Sequence, residues 1–295
     1  MLPMLISTQT HEMAKSFGIE GGVAHLLDSG FDALDFSFFG SLIPPCEGKD
    51  GIALAKKLRK MADGRGVIFN QAHAPFGGGF ENYTTNLVPK FPDIFEFASI
   101  LGVRQIVVHP LQDGVYYGRS EELFERNMEF YTSLVPLSER TGVKICVENM
   151  WQTHRIKKVI IDDVCADPHE LCRYYDSLND PKHFTVCLDI GHVALCGREP
   201  EDAVKIIGHD RLGALHVHDV DYVSDLHTLP GTARVNHYAV AKALGEIDYK
   251  GEYTLEADNF LIGFCDAYKP EASKFMAATA RHFANIVDAN RPAKN

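Results

Sequence analysis

The sequence lacks several features that mark large classes of protein. It has no run of about 18 apolar residues, the length that a transmembrane helix needs. Its 29 basic and 40 acidic residues give a net charge of −11, and a chain without surplus Lys and Arg is poorly suited to nucleic-acid phosphates or an anionic membrane. The start, MLPMLISTQT, has neither the basic segment nor the cleavage site of a signal peptide. We therefore expect a cytoplasmic protein with no nucleic-acid partner and no membrane partner.

Cysteine motifs and the common nucleotide and hydrolase motifs are also missing. The seven cysteines include no C-x-x-C pair, which argues against a zinc ribbon or a thioredoxin-type site. Cys146 and Cys187 stand within apolar segments, as small buried residues do in a reducing compartment. No G-x-S-x-G elbow is found, and no G-x-G-x-x-G follows an early strand-like segment, so α/β-hydrolase and dinucleotide-binding folds lack their signatures.

Short apolar segments alternate with longer segments of helical spacing along the chain. The strand-like segments are 5–8, 31–38, 66–71, 104–109, 143–148, 184–189, 212–218 and 252–256. The helical segments are 53–63, 93–101, 120–140, 168–178, 201–207, 238–244 and 271–289. Continuous apolar strands that alternate with helices are typical of parallel βαβ units. We therefore predict an α/β fold, a single (β/α)₈ TIM-barrel domain over residues 1–295 with a C-terminal helix.

Side chains able to bind a metal or move a proton stand at the ends of six predicted strands. They are His73, His109, Glu148, Asp189, His192, His216, His218, Glu256 and Asp258. The carboxyl ends of barrel strands share one face, so these side chains are expected to converge. Carboxylates mixed with imidazoles suit a hard or borderline divalent cation. The sequence therefore predicts a metal site at the carboxyl face of the barrel.

Five segments resemble those of the xylose-isomerase-like TIM-barrel superfamily of sugar and sugar-phosphate isomerases and epimerases, which includes the endonuclease IV fold. They are V-E-N-M at 147–150, L-D-I-G-H at 188–192, L-H-V-H-D at 215–219, L-P-G at 229–231 and Y-K-G-E-Y-T-L-E-A-D at 249–258. By this resemblance the ligands of one divalent ion per chain are Glu148, Asp189, His216 and Glu256. The ion is expected to be Mn²⁺, with Co²⁺, Mg²⁺ or Zn²⁺ as alternatives. His216 is preferred to His218 because the family ligand lies three residues before an acid, here Asp219.

The resemblance implies a metal-dependent isomerase or epimerase of a small sugar, sugar phosphate or related polyol. The ion would stabilise an enediolate, while Glu148 and Glu256 remove and return the substrate proton. The residues expected to contact substrate are His73, His109, Trp151, Arg155, His192, His218 and Asp258. Trp151, the only tryptophan, would stack on a sugar ring, and Arg155 lies in a basic segment that is either a solvated loop or an anion site. Members of the family often form dimers or tetramers, so a homo-oligomer stays open.

Two alternative functions remain open. An endonuclease IV-like phosphodiesterase acting on abasic DNA would bind three zinc ions, and His73 and His109 match two of its further ligands. That branch also needs an Asp-x-His after the seventh strand. Residues 232–237 read T-A-R-V-N-H, so we expect the third metal site to be missing. The second alternative is a lyase or dehydratase that acts on an oxidised sugar or cyclitol through the same enediolate.

A run of three glycines, Gly77 to Gly79, stands between Phe76 and Phe80 after the third predicted strand. This segment is either a flexible surface loop or a lid whose aromatic side chains cover a sugar.

Overall fold

The computed structural model describes residues 3–293 and forms a barrel of eight parallel strands. The barrel strands are β1 Ile6–Gln9, β2 Ala33–Ser37, β3 Ile68–His73, β4 Gln105–Val108, β5 Lys144–Glu148, β8 Phe184–Asp189, β9 Leu212–His216 and β10 Tyr253–Leu255. Strands β6 Trp151–Thr153 and β7 Ile160–Asp162 form a separate antiparallel hairpin between β5 and β8. Hydrogen bonds pair the barrel strands in the order β10-β1-β2-β3-β4-β5-β8-β9. The barrel closes where the Val217 N–H donates to Thr254 O at 2.9 Å and Val217 O accepts from the Glu256 N–H at 3.0 Å. The predicted α/β TIM barrel is confirmed.

Helices surround the barrel, and each predicted helix has a counterpart. They are α1 His11–Leu27, α2 Gly48–Asp63, α3 Gly79–Asn82, α4 Phe91–Leu101, α5 Ser120–Thr141, α6 Pro168–Leu178, α7 Ile190–Leu195, α8 Pro200–Ile207, α9 His237–Glu246, α10 Asn259–Ile262 and the C-terminal α11 Lys269–Ala289. Helix α1 was not predicted, because Gly18 interrupts it with a φ of +71°, which breaks the regular spacing of its apolar residues. Within residues 3–293 we find no helix with the combined length and apolar character that spanning a bilayer requires.

An apolar layer inside the barrel supports the carboxyl rim. Val107, Cys146, Cys187 and Ala214 form a buried cluster contributed by four neighbouring strands. Alternate residues of a strand lie on the same face, so Cys146 lies directly below Glu148. Cys187 stands in the same relation to Asp189. The side chains at the rim therefore pack against this apolar layer.

Candidate metal centre

Four side chains of metal-binding type meet at the carboxyl rim. Glu148, Asp189 and His216 are the last residues of β5, β8 and β9, and Glu256 directly follows β10. One ligand atom from each of the four lies within 4.8 Å of the others, and all four side chains are buried. The structure thus brings together the four residues that the resemblance implies as ligands of one ion. We call this set the four-ligand centre.

His216 lies between the two glutamates of the centre. Its Nδ1 is 2.5 Å from Glu148 Oε1 and 3.2 Å from Glu256 Oε2. Its Nε2 is 3.4 Å from Oδ2 of Asp35 on β2, and the same oxygen accepts a hydrogen bond from Gln71 Nε2 at 2.8 Å. The Asp35 carboxylate thus lies behind the ring, on the side of Nε2, while Nδ1 faces the centre. The sequence analysis missed Asp35, although an acid within the apolar strand segment F-D-A-L-D-F was a visible signal.

Three buried carboxyl groups are concentrated in the four-ligand centre. Burial raises the pKa of Glu256 well above its ordinary value. Burial acts in the same direction on Glu148, but His216 and His109 outweigh it and hold the pKa of that carboxyl well below its usual range. Oε2 of Glu148 is buried and forms no hydrogen bond with a described residue. A buried carboxylate with too few hydrogen-bond donors lowers the stability of the folded state. A divalent cation would compensate for this, and three carboxylates and one imidazole are ligands that suit such an ion.

Asp189 is held in place by an amide that the sequence analysis also missed. The Asp189 N–H donates to Asn149 Oδ1 at 2.8 Å, and Asn149 Nδ2 donates to Asp189 O at 3.0 Å. His218 Nε2 lies 3.0 and 3.1 Å from the two carboxylate oxygens of Asp189. Position 191 is glycine because a Cβ there would overlap the His218 ring. Asp189 is therefore fixed from both its backbone and its side chain.

Two further histidines approach Glu148 from β3 and from the end of β4. His109 Nε2 is 3.1 Å from Glu148 Oε2 and 3.2 Å from His73 Nε2. His73 Nδ1 is 2.8 Å from Ala74 O, so Nδ1 carries the proton and Nε2 faces Glu148. Burial lowers the pKa of His73 well below its ordinary value and keeps the ring neutral. A neutral imidazole nitrogen thus faces Glu148 Oε2 at 3.8 Å, and the His73 ring stacks on that of His216.

A third cluster lies beside Asp189. One ligand atom from each of four residues lies within 4.8 Å of the others, and these residues are His192, His218, Asp225 and His227. His227 Nε2 is 3.1 Å from Asp225 Oδ2, and His192 Nε2 is 3.9 Å from it. The segment 225–227 is an Asp-x-His arrangement, so the residues on whose absence the prediction of a missing third site depended are present at the rim. The pair precedes L-P-G rather than following it. It lies in the loop that folds back over the rim, where His227 Nδ1 is 2.9 Å from Glu256 O.

Asp219 anchors the loop that carries this third cluster. Its carboxylate accepts backbone hydrogen bonds of 2.8 to 3.0 Å from Gly231, Ala233, Arg234 and Val235. Burial disfavours the charged form of Asp219, but His237 and these backbone donors outweigh it and lower the pKa to about 2. The ionised carboxylate therefore holds together the segment from Gly231 to Val235.

Asp219→Asn is expected to destabilise the fold by about 2 kcal/mol at neutral pH, since a shift of one pKa unit corresponds to about 1.4 kcal/mol. The folded-state pKa is depressed, so this stabilisation is present above the unfolded-state pKa near 4 and is lost as the pH falls through about 2. Denaturant unfolding of both proteins between pH 7 and pH 2 measures the difference. The exposed Asp210→Asn variant is the control and should change stability by less than about 0.5 kcal/mol. A difference that stays constant down to pH 2 would contradict the assignment.

The three clusters open into one recess at the carboxyl rim. Its lining comprises His73, Phe76, Gly77, His109, Gln112, Glu148, Met150, Trp151, His192, Asp225, His227 and Glu256. Of the residues predicted to contact substrate, four therefore line the recess, namely His73, His109, Trp151 and His192. His218 and Asp258 are buried and do not line it, and Asp258 Oδ2 accepts the Glu12 N–H at 2.9 Å. Arg155 is exposed in the turn between β6 and β7, away from the recess.

Comparison with known proteins identifies the family. Residues 23–279 match the family model of xylose isomerase-like TIM barrels. The chain belongs to this family. An uncharacterized protein of Methanocaldococcus jannaschii is 27% identical over 170 residues, which are 57% of this chain and 55% of that protein. The chain thus matches about half the length of this relative.

Solved structures share the fold over nearly the whole chain. A D-tagatose 3-epimerase-like protein has a TM-score of 0.73 at 21% identity, covering 97% of this chain and 99% of that one. The IolI protein with a bound zinc atom has a TM-score of 0.71 at 16% identity, covering 98% of this chain and 100% of that one. A divalent metal is thus present in one structure of the same architecture, and the clusters described above are candidates for one in this chain.

Proposed function

We propose that the protein is a divalent-metal-dependent isomerase or epimerase of a small sugar, sugar phosphate or related polyol. The observation that carries the proposal is the position of His216 Nδ1 between the carboxylates of Glu148 and Glu256, at the floor of the recess. One ion would be held by Glu148, Asp189, His216 and Glu256. The structural likeness to a D-tagatose 3-epimerase-like protein supports the same class of substrate.

The reaction requires removal of a weakly acidic proton from the carbon next to a carbonyl. A divalent ion at the centre would supply Lewis-acid stabilisation of the resulting enediolate. Glu148 and Glu256, which both contact His216 Nδ1, are two of the three carboxylates that line the recess. One removes the proton and the other returns it, which an epimerisation needs on opposite faces of the substrate. A 1,2-shift needs only one of the two.

The recess suits a small polar molecule with one apolar face. Trp151 forms part of one wall, with its ring centroid 6.3 Å from that of His192. Phe76 and Met150 add apolar surface, while the floor is built from carboxylates and imidazoles. A sugar has this combination of polar hydroxyl groups and apolar C–H faces, so it can stack on an aromatic ring while its oxygens face the floor.

The proposal is tested by incubating the protein with Mn²⁺ and single ketoses, including D-fructose, D-tagatose and D-psicose and their phosphates, in deuterium oxide. Proton NMR should show deuterium at the carbon next to the carbonyl, together with a new sugar. Loss of water to give a dicarbonyl product would instead identify the dehydratase alternative. Absence of both exchange and product with every sugar would contradict the proposal.

A second candidate function is favoured by the two additional clusters. His73 and His109 lie beside Glu148, while His192 lies beside Asp189 and forms a cluster with Asp225 and His227. Together with the four-ligand centre these side chains are a donor set for three ions, which suits an endonuclease IV-like phosphodiesterase. The net charge of −11 disfavours a DNA substrate. Metal content separates the candidates, since one ion per chain supports the sugar enzyme, and three ions together with cleavage of abasic duplex DNA support the phosphodiesterase.

A further inference from the structure

Two buried polar atoms behind the four-ligand centre form no hydrogen bond with a described residue. They are His216 Nε2 and Asp35 Oδ1. Both side chains are fully buried, and His216 Nε2 lies 3.4 Å from the other carboxyl oxygen, Asp35 Oδ2. That distance exceeds the usual N–H···O range of about 2.7–3.2 Å. A buried polar atom without a partner lowers stability, so a pair of them in one contact calls for a functional reason.

Asp35 is not itself placed to bind the ion. The ligand atoms of the four-ligand centre all lie within 4.8 Å of one another. Among the described residues, Asp35 belongs to no group whose ligand atoms converge in this way. Its contact with the centre is with the ring of His216, on the side away from the other ligands. A carboxyl group in this place acts on the ring.

Two irregularities of the parallel sheet bring these side chains together. In regular register Asp35 would pair with Asn70, but the register between β2 and β3 shifts, and Asp35 pairs with Gln71. A second shift, between β8 and β9, places His216 opposite Asp189. Bulges are uncommon between parallel strands, and they redirect side chains next to functional sites. Both sides of the contact therefore depend on a local departure from regular pairing.

The amide of Gln71 holds Asp35 in position. Its Nε2 donates to Asp35 Oδ2 at 2.8 Å and to Leu215 O, in the residue before His216, at 3.4 Å. Its Oε1 accepts a hydrogen bond from Thr254 Oγ1 at 3.5 Å. Because both ends of the amide are engaged, the carboxyl of Asp35 is held beside Nε2 by contacts that do not involve the metal ligands.

The position of the proton on the His216 ring decides whether the ring can bind an ion. Nδ1 is 2.5 Å from Glu148 Oε1, so a proton lies between these two atoms. An imidazole nitrogen that binds a metal carries no proton, so Nδ1 can be a ligand only when the proton of the neutral ring is on Nε2. That proton needs an acceptor, and Asp35 Oδ2 is the carboxyl oxygen beside Nε2.

We propose that Asp35 is a positioning residue that selects the tautomer of His216 in which Nε2 carries the proton and Nδ1 is free to bind the ion. This inference rests on the proposed function, because it takes His216 Nδ1 as a ligand atom. Nε2 gains its hydrogen-bond partner when the ion is bound. Gln71 supports the same arrangement by fixing the carboxyl.

Titration of Asp35→Asn with Mn²⁺, followed by calorimetry, tests this inference. Asparagine keeps the size of the side chain, but its amide nitrogen donates to Nε2 and thus favours the proton on Nδ1. Mn²⁺ should bind about 10- to 100-fold more weakly than to the wild-type protein. The metal-free variant should melt at the same temperature as the wild-type protein or higher, because a neutral amide replaces a buried carboxyl. A merely structural role for Asp35 predicts unchanged affinity and a lower melting temperature.

Three further variants serve as controls. Glu252→Gln changes a buried carboxyl at the opposite end of the barrel, where it pairs with Arg104, and should leave the Mn²⁺ affinity unchanged. The binding event that is lost in Glu256→Gln marks the four-ligand centre. Gln71→Met removes the amide but keeps the length of the side chain. It should weaken Mn²⁺ binding by less than Asp35→Asn does, and it keeps the inference testable if Asp35→Asn does not fold.

The outcomes separate this inference from the proposed function. If the wild-type protein binds Mn²⁺ and the folded Asp35 and Gln71 variants bind it equally well, the inference is overturned and the proposed function stands. An equal loss of affinity in Glu252→Gln would also overturn the inference, because any change of a buried carboxyl would then have the same effect. If the wild-type protein itself binds no Mn²⁺, the proposed function is contradicted.

Discussion

Replacing either Glu148 or Glu256 by glutamine is expected to abolish exchange of the substrate proton with solvent. Both carboxylates lie at His216 Nδ1, at 2.5 and 3.2 Å, and both line the recess. Glutamine keeps the shape of the side chain but cannot take up a proton, and a positioned acid or base contributes roughly 10²- to 10⁴-fold. Deuterium incorporation followed by NMR should therefore fall by at least about 10²-fold in each variant.

The control for these variants is Glu125→Gln, an exposed glutamate on α5 that should exchange at the wild-type rate. The metal content of each variant must be measured as well, because both glutamates belong to the four-ligand centre. A variant that retains its metal but loses exchange supports a role in proton transfer. Undiminished exchange in both variants would refute their assignment as acid and base.

Removal of the metal is expected to abolish turnover and to lower the melting temperature. The buried carboxyl groups at the centre have too few hydrogen-bond donors when no cation is bound, so a bound ion stabilises the folded state. At a free metal concentration of 100 times the dissociation constant, this linkage supplies about 2.7 kcal/mol, or roughly 5–10 °C for a chain of this size. EDTA followed by added Mn²⁺ or Co²⁺, with activity and thermal unfolding measured at each stage, gives both quantities.

Asp189→Asn provides the matched control for metal removal. It keeps the size of the side chain but weakens a ligand, so added Mn²⁺ should raise its melting temperature far less than that of the wild-type protein. Full turnover by a preparation shown to contain no metal would contradict the proposal that the reaction depends on a divalent ion.

The barrel could be predicted from sequence because its signal is local. Each parallel strand is a short apolar run, and all eight barrel strands overlap the predicted segments. Helix α1 was missed because Gly18, Gly21 and Gly22 remove the regular apolar spacing that marks a helix. The β6–β7 hairpin was missed because its strands are only three residues long, with partly exposed side chains. Such short strands are defined by their pairing across a turn rather than by their own composition.

The four-ligand centre could be predicted because, in a parallel barrel, residues at the carboxyl ends of all strands lie at the same rim. Glu148 and Asp189 end their strands, so the fold alone brings them to one rim. Asp225 and His227 lie in a loop, and long-range contacts of that loop, with Asp219 and with Glu256 O, bring them over the rim. Asp35 acts through a contact with His216, more than 180 residues away in sequence, which no local pattern reveals.

The most direct test of the central claim is anomalous diffraction from crystals of the protein grown with Mn²⁺. The account predicts a manganese peak within about 2.5 Å of ligand atoms from all four residues of the four-ligand centre, Glu148, Asp189, His216 and Glu256. A peak bound only by His192, Asp225 and His227, or no peak at this rim of the barrel, would contradict it.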